Sequence, residues 1–155
     1  MPSEFNKQLQ QILAPTMKAA GYRKSGATWH FTDPDFIRVL NIQGSQWGSS
    51  FYLNMGIYIR AIGEKAKPCE YDCHLRSRVE SKDRAVLNAA LNFENPISIS
   101  DRSQVLVTAI ESIALPWLEG HASKEGITRT LTAQSRSNWA ISKLAWPYAG
   151  VLPPA

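Results

Sequence analysis

The sequence is poor in cysteine, has no long apolar run and carries none of the common catalytic signatures. Each shortage removes a class of function. Its two cysteines, Cys69 and Cys73, are too few for a disulfide framework. In an extended strand they would stand about 13 Å apart, at about 3.3 Å per residue, beyond disulfide reach. Reduced thiols in the cytoplasm are therefore expected. No stretch approaches the roughly 18 apolar residues of a membrane-spanning helix, so no membrane partner is expected. Met1-Pro2-Ser3-Glu4 lacks the basic-then-apolar order of a signal peptide. There is also no Asn-x-Ser/Thr acceptor.

Catalytic motifs are missing as well. Gly63-Glu64-Lys65 superficially looks like a phosphate loop, but the glycine-spaced run ending in Gly-Lys-Ser/Thr is absent. No Gly-x-Ser-x-Gly elbow and no His-Glu-x-x-His helix is present. No catalytic residue and no cofactor is assigned. This leans against an enzyme without deciding the matter, because triads assemble from distant positions.

What is present is an ordinary globular composition. With 155 residues, 44% hydrophobic and 19% charged, the chain reads as a single domain, 1–155, with a core over about 4–146 and a tail at 147–155. The net charge of +4 is mild and scattered. It favours a partner with a negative surface in a general way.

The apolar spacing orders the elements. Ser3 caps a first helix carrying Phe5, Leu9, Ile12, Leu13 and Met17, which Gly21 ends. Pro15 predicts a kink or two short helices there. Strands follow at 27–31, 36–43 and 51–60, the last with strict alternation, and a further one at 74–79. A weakly patterned helix covers 82–93. Asp101 and Gln104 resemble a capping box that opens a long helix, bent near its end by Pro116. Ser123 and Ser137 would cap two short helices, the last carrying Trp139, Ile141 and Leu144. The expected fold is α+β: an antiparallel meander of about four strands, with N- and C-terminal helices packed on one face.

The polar residues within these strands form the candidate site. Asn41 and Gln43 share one strand face, and Asn54, Tyr58 and Arg60 share another. With Ser45, Trp47 and Tyr52 they would converge on the uncovered side of the sheet. Amides, a guanidinium and aromatic rings together suit a peptide, a carboxylate or a nucleobase. An ordinary solvated sheet face explains the same pattern. Cys69, Cys73 and His74 are weak candidates for a metal site or, with His74 as base, a nucleophilic thiol. Their spacing matches no zinc finger or ribbon. The basic turn Tyr22-Arg23-Lys24, between two glycines, could contact phosphates.

Three ordered segments resemble the DUF4304 family of uncharacterised bacterial proteins. They are Gly21-Tyr22-Arg23-Lys24-Ser25-Gly26, Leu40-Asn41-Ile42-Gln43-Gly44-Ser45 and Phe51-Tyr52-Leu53-Asn54-Met55-Gly56. Leu115-Pro116-Trp117-Leu118 is similar to the family's later helix ending. The resemblance spans roughly residues 5–135, assigns no chemistry, and directs attention to Gln43, Ser45, Asn54 and Gly56. By analogy, such a domain would serve as an immunity or accessory protein of a toxin system.

Two functions are therefore expected to compete. The first is a non-enzymatic protein-interaction module with an acidic partner. The alternative is a binder of nucleic acid or a nucleotide-like ligand, through Trp47, Tyr52, Tyr58 and Arg60 on the sheet face.

Overall fold

The computed structural model describes residues 3–46, 48–133 and 140–154. It opens with one uninterrupted helix, α1 (Glu4–Ala19). The Ser3 hydroxyl accepts from the Asn6 N–H at 3.1 Å, and Leu9, Leu13 and Met17 are fully buried. Pro15 does not divide this helix. Gln11, whose carbonyl loses its donor, and Pro15 itself are both exposed, so water can take up the freed bond. At the C-terminus, Tyr22 N–H reaches Met17 O and Gly21 N–H reaches Lys18 O, with Gly21 at φ 91°. This Schellman closure needs the left-handed residue that the glycine supplies.

The strands β1 (Arg23–Ser25), β2 (Thr28–Thr32), β3 (Phe36–Gly44), β4 (Phe51–Ile59), β5 (Leu75–Arg78) and β6 (Ala140–Ile141) form one antiparallel sheet in chain order. The meander expected from the sequence is thus present and gains a short strand at each edge. β3, apolar on both faces, lies inside the sheet. Its partner β4 pairs along nine positions, from Phe36↔Ile59 to Gly44↔Phe51.

Alternation sorts the side chains between two faces. Phe36, Leu40 and Ile42, with Leu53, Met55, Ile57 and Ile59, enter the main core. They meet α1 and the long helix α3 (Ile99–Ala109), which continues through a π turn at Ile110–Ala114 into α4 (Leu115–His121). The cap of α3 is Ser98, whose hydroxyl accepts from Asp101 N–H at 3.1 Å, so Asp101 lies in the first turn instead of starting the helix. Pro116 sits at the start of α4, just past the π turn, whose altered bonding accommodates a residue without an N–H.

α2 (Arg84–Leu91) and α5 (Lys124–Thr132) complete this layer with α6 (Ala145–Ala149). The expected cap Ser137 and Trp139 lie outside the described residues. Ile141 belongs to β6, and the short helix beyond it buries Ala145 and Trp146. Tyr148 and Val151, assigned to the tail from sequence, pack half-buried against the core.

The sheet's second face is not left open. Residues 60–74 fold back across it as a strap. Ile37, Val39 and Tyr58 from the sheet and Cys73 from the strap form a second, smaller buried cluster. Gly56 and Gly63 make this approach feasible. A Cβ at Gly56 would lie 2.7 Å from Cys73 Cβ, and one at Gly63 would overlap the Tyr58 hydroxyl. Among the described residues, no helix is long and apolar enough to cross a membrane.

Candidate functional site

Register places a polar row across the strap-bearing face. Thr28 stands opposite Asn41, Asn41 opposite Asn54, and Asn54 opposite Arg78. Side-chain bonds link the members. Asn41 donates to Thr28 Oγ1 at 3.0 Å, and Asn54 donates to Gln43 Oε1 at 2.8 Å. Arg78 Nε donates to Asn54 Oδ1 at 3.2 Å, and its Nη2 lies 3.4 Å from Gln43 Oε1. The same guanidinium lies over the Tyr52 ring, 4.0 Å from its centroid.

Beside this row lies a cleft of about 470 Å³. Gln43, Asn54, Glu70, Arg76, Arg78 and Glu80 line it, with Arg84 at its rim. Buried Glu70 comes from the strap. It accepts from Arg76 Nε at 2.8 Å and from Nη2 at 3.1 Å, a two-pronged pair that fixes both planes. Glu80 meets Arg84 at 3.3 Å on the exposed side, a pair worth little in water. Both glutamates thus have an arginine, whereas no described carboxylate pairs with Arg78. Three arginines against two glutamates leave one positive charge in the cleft.

The residues singled out from sequence divide into three groups. Asn41, Gln43 and Asn54 do join one network, with Asn54 almost fully buried. Tyr58 is a correction. It is 4% exposed, packs on His74 and accepts from Lys65 N–H at 3.0 Å, so the strap covers it. Arg60 is another. It sits on a 3₁₀ turn, Arg60–Ile62, and donates to Asp33 O at 2.8 Å, bracing the β2–β3 turn away from the cleft. Ser45 belongs to the β3–β4 loop, where its N–H bonds Ser50 O at 2.8 Å. Trp47 lies outside the described residues.

Arg76 and Arg78 were missed as site residues. Their period-two spacing beside Leu75 was the available signal, since it puts both on the face opposite the core.

The Cys69–His74 segment is structural in character. Cys69 is exposed, while Cys73 is buried and its Sγ–H points to Cys69 O at 3.6 Å. Burial, with Glu70 and Asp72 nearby, pushes the Cys73 thiol well up, the reverse of an activated nucleophile. His74 Nδ1 accepts from the Ile59 N–H at 2.9 Å, which places the ring proton on Nε2. Among the described residues, no three His, Cys, Asp or Glu side chains gather to hold a metal.

Burial lowers the pKa of His74, and it also lowers that of His121. The unfolded chain therefore binds more protons once the pH drops below about 6.5, the ordinary histidine value. Stability is expected to be flat from there to about pH 8 and to fall on acidification toward the lower folded-state histidine values. It should fall again in alkali, as the unfolded chain's thiols ionise while the buried Cys73 does not. Urea unfolding at a series of pH values measures this. A curve that rises on acidification below the ordinary histidine value would contradict the buried, neutral rings.

The DUF4304 family, described as a domain of unknown function, matches residues 13–120. The chain belongs to this family. The match begins within α1 and ends within α4, so it includes β1–β5 and the whole strap. No curated protein and no solved structure matches the chain.

Proposed function

We propose that this DUF4304 domain is a non-enzymatic protein-interaction module that accepts an acidic segment of another protein in the Arg78 cleft. Such a module would neutralise or accompany its partner, in the manner of an immunity or accessory protein. The carrying observation is Arg78. It is oriented by two amide oxygens and a tyrosine ring, yet has no described carboxylate partner. A guanidinium held in this way loses little freedom when it meets a planar carboxylate, which it can grip with two parallel bonds. The neighbouring arginines are already neutralised by Glu70 and Glu80, so the surplus charge centres on one residue.

The alternative of nucleobase stacking on this face draws less support. Tyr58 is covered and Arg60 is engaged elsewhere, which among the described residues of that set leaves Tyr52, capped by Arg78.

The test is affinity capture from native lysate with the tagged chain, after nuclease treatment and across a salt series. A discrete protein is expected to survive both treatments. Arg78→Glu should lose it by about thirtyfold or more, since breaking a hydrogen-bonded charge pair buried at an interface costs about 2–5 kcal/mol. Exposed Lys7→Glu on α1, with the same charge change, should retain it. Equal loss in both variants, or nucleic acid as the sole captured species, defeats the reading.

A further inference from the structure

A second cleft opens on the opposite side of the strap, and its charge is not balanced. It encloses about 550 Å³ between the β1–β2 hairpin and the strap, lined by Arg23, Lys24, His30, Phe31, Ala66 and Lys67, among others. No carboxylate is among its lining residues. Arg23, Lys24 and Lys67 form no ion pair with any described residue. This distinguishes it from the Arg78 cleft, where two of three arginines are paired.

The arrangement is also held in place. His30 Nε2 donates to Pro68 O at 2.7 Å, pinning the strap to β2 directly beside Lys67. Pro68 is buried, so the anchor is packed as well as bonded. Across the hairpin, Arg23 stands opposite His30 in register and shares its face of the sheet. Gly21, at φ 91°, closes α1 two residues before Arg23.

We propose that this cleft binds an esterified phosphate group. Arg23, on the His30 face, and Lys67, on the strap, are uncompensated cations on two walls of one cleft, while Lys24, opposite Trp29, lies on the other face of the edge strand. An oxyanion between the walls accepts charge-assisted bonds from both. Arg23 supplies a planar fork and Lys67 a point charge. The site is separate from the Arg78 cleft, and its fate does not depend on that reading.

The experiment titrates the ¹⁵N-labelled full chain with inorganic pyrophosphate at low and moderate ionic strength. Saturable amide shifts confined to residues 21–32 and 66–68 are expected, with affinity that falls as salt rises. The double variant Arg23→Ser with Lys67→Ser should bind about tenfold or more weakly while keeping a dispersed spectrum, and Lys67→Arg should bind as the parent does. Competition then identifies the source. Displacement by a nucleoside diphosphate assigns a terminal phosphate ester, and displacement by a short single-stranded oligonucleotide alone assigns a phosphodiester. Displacement by neither means an adventitious ion only and overturns the proposal. Unsaturable shifts over all basic surfaces, or full affinity in the double variant, overturn it equally.

Discussion

Arg102→Ala is expected to destabilise the fold by about 3 kcal/mol, measured by urea unfolding with unchanged m-value. The side chain is 4% exposed and has no carboxylate partner among the described residues. Its Nη1 donates to Ala90 O and Asn92 O, and its Nη2 donates to Asn95 O at 2.9 Å. One guanidinium thus closes the C-terminal end of α2 and the turn after it, where carbonyls lack helical donors. It also stacks 4.3 Å above the Phe93 ring, which in turn meets Phe5 and Phe51. Hydrogen bonds to a charged donor contribute about 1.5–3 kcal/mol each. Removing an uncompensated buried cation returns some desolvation energy, which is why the net loss is placed near that of one or two bonds. Lysine offers a point charge instead of a fork, so Arg102→Lys should recover only part of the loss. A change below about 0.5 kcal/mol, the level of a neutral surface substitution, would show that water replaces the guanidinium freely.

Arg102 also marks where sequence reading stops. The periodic elements were legible: α1 from its cap and apolar stripe, and β3 and β4 from continuous and alternating patterns. Their pairing as a meander followed from short connections. The strap was not legible. Residues 60–74 are charged, irregular and interrupted by Gly63 and Pro68, and nothing local indicates that they return to the sheet. The information is non-local, held in Gly56 and Gly63, where the missing side chains admit Cys73 and Tyr58.

For the same reason the candidate site was only half visible. Asn41, Gln43 and Asn54 were identified because strand alternation is local. Tyr58 was placed on an open face because its cover comes from elsewhere in the chain. Glu70 could not be assigned to the cleft before the strap was known to carry it there. Arg102 lies in the first turn of α3, and nothing in its sequence neighbours indicates that it caps a different helix.

Gly56→Ala is expected to lift the strap, with a stability loss of about 2 kcal/mol, within the usual range for overpacking. The added methyl would lie 2.5 Å from Cys73 Sγ, 2.7 Å from Cys73 Cβ and 3.6 Å from Glu70 O, so one of the two strands of chain must move. β4 is held on both sides, by β3 and β5. The strap rests on fewer contacts, which makes it the part that yields. Its movement has a direct readout. In a Cys69→Ser background the remaining thiol, Cys73, is 5% exposed, and its pKa is raised by burial. Reaction with a disulfide reagent should therefore be slow in the parent and distinctly faster in Gly56→Ala. Glu70 moves with the same segment, so its grip on Arg76 loosens as well. Combining Gly56→Ala with Cys73→Ala removes the sulfur from the collision and should be less destabilising than the sum of the two single changes. Strict additivity, with Cys73 still protected, would mean that the sheet absorbs the methyl and the strap is not the yielding element. A thiol that opens while global stability holds would instead identify the strap as a separately unfolding unit, lying over the very face on which both proposed clefts are built.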